Sequence, residues 1–442
     1  MMKSINLGVV SQTPAMVLAK KYRAESVRLQ DINEGDYSYN IGGVAPMLRT
    51  QLEELRKKRW IKEATWFSLN PTAPKNIVLY DGIKLVSIYI DKDNVEGYTG
   101  FKEKVWNNIH DVSAQDFTTK EYLGYFRYNS RLAREMLTDY GNIDLFEIDD
   151  FQQMLLGAML GPSVPTVLRW HIPFIPERLS KKIRKFVVNG LEGNDAVIIS
   201  TNRGLEGLIR AGYKGSAYQI YPHIDPARWE RPGGGKVDAF SERHGLRRED
   251  FVVLCVGRMD EIKSQDDLIR AMAVLKERRI KLVLVGGGSF TSKVLGHSKA
   301  EIWAAKLKEL AKKLRVEERV IFTDSLSHED LECAYTRADL LALPSHSEGF
   351  GLVVVEGWLY NTPAIVSEGA GVSELITNEF NGFTFKPGDC NELARLIFKT
   401  YKNGGLRDEM ARTAHSMAKM CYISTAIEKI KNVYERTMAD FG

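Results

Sequence analysis

Cysteine is scarce in this chain: four in 442 residues (Cys255, Cys333, Cys390, Cys421), far apart and without Cys-x2-Cys spacing. That pattern excludes a disulfide framework and a cysteine-held zinc, and points to a reducing cytoplasm. Long apolar runs are missing too. None approaches the ~18 to 20 residues of a membrane span, and Met1-Met2-Lys3-Ser4-Ile5-Asn6-Leu7 has no signal-peptide h-region. An excess of one charge is also absent. A formal net charge of +4 mildly favours anionic substrates and makes no case for nucleic acid. What is present is an ordinary globular composition, and 442 residues suffice for two domains, each with its own core.

Short apolar runs alternate with amphipathic stretches. Expected strands in the first half are Ile77 to Tyr80, Leu85 to Ile90, Leu145 to Ile148, Thr166 to Trp170 and Ala196 to Ile199. Helical patterns lie between them, at Val44 to Lys58 and Phe151 to Leu160. Such alternation predicts a parallel sheet with crossover helices. Arg231-Pro232-Gly233-Gly234-Gly235-Lys236 reads as a linker without regular structure. The alternation then restarts: strands at 251–256, 282–285 and 320–322, and helices at 266–277, 302–314 and 330–337.

The most informative stretch is Ser347-Glu348-Gly349-Phe350-Gly351-Leu352-Val353-Val354-Val355-Glu356. It follows the apolar strand Leu340 to Pro344 and opens a helix, so its glycines lie where a buried strand turns into a helix. Doubly wound sheets place ligands there, against helix N-termini whose free N–H groups attract anions. The plainer alternative is a tight turn flanked by solvated acids. Arg258 and Lys263, in Val256-Gly257-Arg258-Met259-Asp260-Glu261-Ile262-Lys263, are loop cations after the strand 251–256. They suit a diphosphate whose charge grows as it leaves, or form a solvated basic loop. In the first half, Asn40-Ile41-Gly42-Gly43-Val44 opens a helix and suits phosphate; a plain turn is the alternative. His171 ends the strand Thr166 to Trp170. Arg169, inside that otherwise apolar strand, requires a partner. Asp149-Asp150 reads as an N-cap pair on the helix from Phe151. Asp91-Lys92-Asp93 has a metal-binding form but reads as a surface turn, and Lys181 to Phe186 as a solvated basic helix face.

Glu348 and Glu356, with Glu-Gly-Phe-Gly between strand and helix, resemble the E-x7-E signature of retaining glycosyltransferases of the GT-B fold, especially glycosyltransferase family 4. The resemblance implies an α/β GT-B fold, two Rossmann-like domains facing across a cleft: residues 1–231 binding acceptor, 236–424 binding the nucleotide sugar, and a C-terminal helix (425–442) packing back on the first. It implies a donor site of Gly42, Gly43, Arg258, Lys263, Leu326, Glu348, Gly349, Phe350, Gly351, Leu352, Val353 and Glu356. In it Arg258 and Lys263 clamp the diphosphate, Glu356 holds the ribose, and Glu348 lies beside the transferred sugar. Leu326, in Phe322-Thr323-Asp324-Ser325-Leu326, resembles the base-reading segment, and Val285-Gly286-Gly287-Gly288-Ser289 the loop near the nucleotide. Ser264 stands where the family has glycine, a change expected to matter little for charge. Gly371-Val372-Ser373-Glu374 resembles another family-4 motif, expected to cap a helix.

Two strings narrow the resemblance. His171-Ile172-Pro173-Phe174 is close to the His-x-Pro-Phe motif of trehalose-6-phosphate synthases, whose histidine contacts the donor sugar. Phe146 to Leu160 is similar to their HDYHLMLLPAMLR string, with Asp150 at the acceptor-binding aspartate. Asp149 replaces a histidine, Gly157 a proline and Gly161 an arginine. The resemblance thus implies a metal-independent retaining hexosyltransferase with His171, Glu348, Arg258 and Lys263 as catalytic residues. Asp150, His171, Arg127 and Arg131 would bind the acceptor. No cofactor is expected beyond the co-substrate, an NDP-glucose with UDP-glucose first. The acceptor would be glucose 6-phosphate, giving trehalose 6-phosphate. Free glucose, a lipid-linked or polysaccharide acceptor, and a catalytically silent sugar-nucleotide sensor are alternatives. No firm membrane association is expected, and a homo-oligomer is left open.

Overall fold

Strand side chains alternate between two faces, and here both faces are buried. The computed structural model describes residues 4–19, 25–40, 44–70, 73–79, 82–139, 142–287 and 299–441. Contacts divide the chain into two units, 1–222 with 423–442, and 223–422.

The first unit holds β1 (Ile5–Ser11), β2 (Met16–Leu18), β3 (Ser26–Arg28), β4 (Tyr37–Tyr39), β5 (Ile61–Leu69), β6 (Asn76–Val78), β7 (Ile83–Ile88), β8 (Leu145–Asp149), β9 (Thr166–Trp170), β10 (Ala196–Ile199) and β11 (Ser216–Gln219). Among the described residues, nine form one sheet in the order β11-β10-β9-β8-β1-β5-β7-β6-β3. Its pairs are parallel except β6 with β7. Strands β2 and β4 form an antiparallel pair. Val10, Phe67, Val86, Ile148 and Leu168 line one face of the large sheet, against helices Lys92–Ile109, Thr119–Asp139 and Lys181–Glu192. Val9, Trp66, Leu85, Leu145 and Val167 line the other, covered by helices Ala45–Lys57 and Ile423–Phe441. Burial on both faces is why the central strands read as nearly unbroken apolar runs.

The second unit holds β12 (Phe251–Val256), β13 (Ile280–Val285), β14 (Val320–Phe322), β15 (Leu340–Leu343), β16 (Ala364–Ser367) and β17 (Gly382–Phe385), all parallel, in the order β14-β13-β12-β15-β16-β17. No helix among the described residues is long and apolar enough to cross a membrane.

Two expectations need correction. The glycine stretch at 231–236 is not a structureless linker. Gly234 and Gly235 begin the helix Gly234–Arg243, and Glu230 just before it is held on both sides. Its amide donates to Glu332 Oε1 at 2.6 Å, and its carbonyl accepts from Tyr360 at 3.0 Å. Glycine costs only about 1 kcal/mol per helical position, and Phe240, buried on the same helix, supplies the anchor. The chain instead enters and leaves this unit at Ile224 and Tyr422, paired as a short parallel bridge. The helix read from Phe151 to Leu160 is broken into a 3-10 turn (Phe151–Gln153) and a short helix (Leu156–Leu160). Tyr125 donates to the Phe151 carbonyl at 2.6 Å and Asn129 to that of Gln152 at 3.1 Å. Those carbonyls would otherwise serve the helical ladder.

Candidate functional site

In the second unit the parallel strands bring five loops to one edge, because their carboxyl ends point the same way. Backbone bonds tie these loops side by side. Gly257 donates to Val285 O at 3.0 Å, Met259 to Gly287 O at 3.1 Å, and Gly286 to Asp324 O at 2.9 Å. His346 donates to Ile262 O at 2.9 Å and Glu348 to Gly369 O at 3.1 Å. Approaches this close demand glycine. A Cβ on Gly286 (φ +148°) would lie 1.8 Å from Gly257 O, and one on Gly369 2.1 Å from His346 O. Gly351, at φ +106°, starts the helix Leu352–Leu359 without a side-chain cap. Its first-turn amides, those of Leu352 and Val353 among them, therefore face the ligand edge.

On this edge Lys263 Nζ contacts Glu348 Oε2, both side chains being mostly buried. Burial and the nearby Arg258 charge pull the Lys263 ammonium down to about 7. The Glu348 carboxylate, in direct contact, works against that pull. Arg258 is half-exposed, with Asp260 3.9 Å away, and its carbonyl is fixed by Gln265 at 2.8 Å. Ser264 is left-handed (φ +50°, ψ +40°), which explains glycine at this place in the resembling families. Gly349 and the buried Phe350 complete the turn. Gly371-Val372-Ser373-Glu374 caps no helix. It forms a 3-10 turn whose Gly371 and Val372 amides donate to Glu348 O at 3.1 Å and Phe350 O at 2.8 Å. It braces the turn that carries Glu348.

Glu356, one face of the helix further on, accepts from Tyr335 at 2.6 Å. Burial raises its carboxyl, with the Tyr335 hydroxyl and His328 opposing. Tyr335 stacks on Tyr360 at 5.7 Å, and Trp229 packs edge-on to both rings. Leu326, partly buried, precedes the helix His328–Arg337 that carries Tyr335.

In the first unit, β8 and β9 end side by side. His171 Nε2 meets Asp149 Oδ1 at 2.6 Å, and the His171 amide donates to Asp150 Oδ1 at 2.7 Å. Asp150 sits at φ +62°, ψ 175°, a region almost confined to glycine. Its strained backbone turns the carboxylate back onto β9 rather than onto the following turn. Asp150 holds the N-cap position of the turn Phe151–Gln153, but its side chain makes no capping bond, contrary to expectation. Burial pushes Asp149 up to about 8 and Asp150 up to about 6, and pulls His171 down to about 4. Arg169 opposes the rise at Asp149, and His171 the rise at Asp150.

The structure thus brings together Lys263 with Glu348, and His171 with Asp150 and Asp149. Arg127 and Arg131 are placed differently. Arg131 pairs with Asp91 at 2.6 Å and lies 3.6 Å over the Tyr89 ring, and Arg127 bonds Asn94 at 2.9 Å. Asp91 follows β7, three strands from β8 in the sheet, or about 14 Å at the usual strand spacing. The same pairing occupies the first acid of the Asp91-Lys92-Asp93 triplet. Gly42 and Gly43 lie outside the described residues, as do Gly288 and Ser289. Sequence reading missed Asp149 as a functional group. Its signal was an acid every second residue, Glu147 and Asp149, inside a buried strand. It also missed Gly369, signalled by Glu368-Gly369-Ala370-Gly371.

Residues 236–417, within the second unit, match the family model described as glycosyl transferases group 1. A curated D-inositol 3-phosphate glycosyltransferase from Salinispora arenicola is 29% identical over 232 residues, 50% of each chain. The chain spans about half the length of the curated relatives it matches. Among solved structures, sucrose-phosphate synthase from Thermosynechococcus elongatus superposes with TM-score 0.74 at 18% identity, covering 99% of this chain and 100% of that one. An α,α-trehalose-phosphate synthase (UDP-forming) from Burkholderia xenovorans, in complex with glucose-6-phosphate, gives 0.75 at 14% identity, covering 97% and 100%. The fold is therefore the expected two-domain GT-B fold with parallel sheets.

Proposed function

We propose that this chain is a retaining glycosyltransferase. It moves glucose from a nucleoside-diphosphate glucose, UDP-glucose first, to glucose 6-phosphate, and makes trehalose 6-phosphate. The observation that carries this reading is the contact of Lys263 with Glu348 on a strand-end edge built from glycine turns. A diphosphate that takes Lys263 and Arg258 frees the Glu348 carboxylate to accept from sugar hydroxyls. Glu356, held by Tyr335, accepts from the ribose, and Leu326 lies against the base. Amides from Gly349 to Val353 face the sugar and phosphate oxygens.

In the transfer, the bond from the sugar's anomeric carbon to the β-phosphate oxygen breaks. The acceptor oxygen bonds to that carbon from the same face, and its proton passes to the departing phosphate. The protein's part is positioning and charge stabilisation. His171 supports the reacting sugar and Asp150 orients the acceptor hydroxyl. The reading uses no metal and no cofactor beyond the co-substrate. Four cysteines, scattered and without paired spacing, fit its placement in a reducing cytoplasm.

A second reading keeps the donor and replaces the acceptor with an inositol phosphate. It is favoured by curated relatives that are D-inositol 3-phosphate glycosyltransferases, and by Asp149, Gly157 and Gly161, which depart from the trehalose-type string. Both acceptors are six-membered rings bearing hydroxyls and a phosphate monoester. The deciding assay offers UDP-, ADP- and GDP-glucose with glucose 6-phosphate, glucose or inositol phosphate, and reads nucleotide release and product mass. A disaccharide phosphate upholds the first reading, and a glucosyl-inositol phosphate the second. Binding of a nucleotide sugar without turnover on any acceptor would make the chain a sensor.

A further inference from the structure

Arg169 stands out of place in an apolar strand, and its surroundings give it a task. Its side chain is fully buried and faces the equally buried Glu147 across 3.7 Å, from β9 to β8. Desolvating two charges costs more than one such contact returns, so the pair needs further partners. Gln51, on the helix Ala45–Lys57, bridges it. Its oxygen accepts from Arg169 Nη1 at 2.7 Å, and its amide donates to Glu147 Oε2 at 2.5 Å. Tyr434, on the helix Ile423–Phe441, donates its hydroxyl to the same carboxylate oxygen.

Register extends the cluster to the site. Asp149 lies opposite Arg169 in the parallel β8–β9 pair. Side chains alternate along a strand, so Glu147, Asp149 and Arg169 share one face. His171, two residues beyond Arg169, closes on Asp149 at 2.6 Å. The second oxygen of Asp149 is buried without a hydrogen-bond partner among the described residues. The charges acting on the imidazole come from Asp150, Arg169 and Glu147, and the charge acting on Asp149 from Arg169. The charges of Glu147 and Arg169 cancel, and Asp149 and His171 holding one proton between them add none, which leaves Asp150 as the remaining acid of the cluster.

We propose that Arg169 is a positioning residue: pinned by Glu147 and Gln51, its charge offsets that of Glu147 and sets where on the pH scale Asp149 and His171 share a single proton, so that the imidazole is held in one orientation at the carboxyl end of β9. The consequence for transfer rests on the reading of His171 as a sugar-contacting residue; the electrostatic coupling does not. Burial holds the pair's two steps near 4 and 8. The upper step leaves the pair negative, so a neighbouring cation lowers it and a neighbouring carboxylate raises it.

The test is a pH titration of the full chain labelled with nitrogen-15 histidine, with the His171 signal assigned by its loss in His171→Gln. Arg169→Met is expected to raise the upper step by about one pH unit, Glu147→Gln to lower it by a similar amount, and Arg169→Lys to leave it near the parent value. An unmoved step in Arg169→Met, or Arg169→Lys behaving like Arg169→Met, overturns the proposal. Where Arg169→Met does not fold, an unmoved step in Glu147→Gln overturns it equally. In parallel, the alkaline limb of kcat in glucosyl transfer is expected to follow the titration. A step that moves while that limb stays fixed upholds the coupling and overturns the placement of His171 at the reacting sugar.

Discussion

The two sheets end in two different kinds of candidate site. In the second unit the edge is made of backbone: glycine turns in contact, a helix start without a cap, and one cation against one carboxylate. In the first unit it is made of side chains whose charges reach into the sheet, Asp149, Asp150 and His171 outside and Glu147 with Arg169 beneath. Backbone amides suit an anion of fixed shape such as a diphosphate. A buried acid–imidazole pair suits neutral hydroxyls, which need donors and acceptors whose protonation is set in advance. The contrast teaches that one strand-and-helix architecture can present two chemically different surfaces by changing what stands at the strand ends.

Removing the cation breaks the comparison most sharply. Lys263→Ala is expected to lower kcat/KM for transfer by roughly a hundred- to a thousandfold, the scale of losing one group that stabilises developing charge. Melting temperature should fall too, because the mostly buried Glu348 carboxylate loses its partner, so the transfer assay is run well below the variant's melting range. An unimpaired Lys263→Ala enzyme would remove the donor half of the proposed function. The glycine turns come next. Gly369→Ala places a Cβ 2.1 Å from His346 O, a backbone atom that cannot swing aside. Overpacking of this kind costs about 1 to 3 kcal/mol, readable by urea unfolding. The same loop accepts the Glu348 amide and donates to its carbonyl, so activity should fall with stability.

These glycines show what was legible in the sequence and why. Gly351 stands inside a strand–turn–helix pattern at φ +106°, and positive φ at a turn favours glycine, so residue type reports geometry directly. The strand Thr166 to Trp170 was equally legible, since five successive buried positions leave no alternative period. Glu147 and Arg169 were not. Each is anomalous alone, but their pairing depends on β8 lying beside β9, and on Gln51 and Tyr434, which are 383 residues apart. The break after Gln153 was hidden for the same reason, because Tyr125 and Asn129 arrive from another helix. The glycine run at 231–236 misled in the opposite direction. Its composition says linker, while Phe240 on the same helix and the sequence-remote partners of Glu230, Glu332 and Tyr360, fix a helix start there.

The first unit's charge cluster makes a pH prediction opposite in sign to that of Lys263 on the second unit's edge. Asp149 is held up to about 8 in the fold, against a usual value near 3.8. Its folded form therefore binds the extra proton, and its contribution to stability is lost as pH rises toward 8. His171 is held down to about 4, against 6.5. Its contribution is present above 6.5 and is lost as pH falls. Between about 4 and 6.5 the two slopes oppose, with Asp150, held up to about 6, adding to the decline; above 6.5 that of Asp149 remains, and above about 7 Lys263, held below its usual 10.5, adds a slope of the opposite sign. Stability is expected to drop by about 0.7 kcal/mol from pH 6.5 to 7, the scale of half a unit at 1.36 kcal/mol per unit. Asp149→Asn should flatten that decline in melts run across the window. A decline left intact would place its source elsewhere.

The smallest effect is at Ser264, where the two kinds of site meet in one residue. A side chain occupies a left-handed backbone position here, as at Asp324 on the same edge. Its φ of +50° and ψ of +40° are left-handed, which costs a residue with a Cβ about 1 to 2 kcal/mol. The strain falls directly after Lys263, and Ser264 is the first residue before the helix Gln265–Val274. Ser264→Gly relieves that strain but gives the unfolded chain more freedom, so the net gain should be about 0.5 to 1 kcal/mol. Serine changes no charge here, so donor affinity should stay within about twofold while the melting temperature rises. If affinity instead falls severalfold with the glycine, the Ser264 hydroxyl touches the ligand, and the edge is less purely backbone than its glycines suggest.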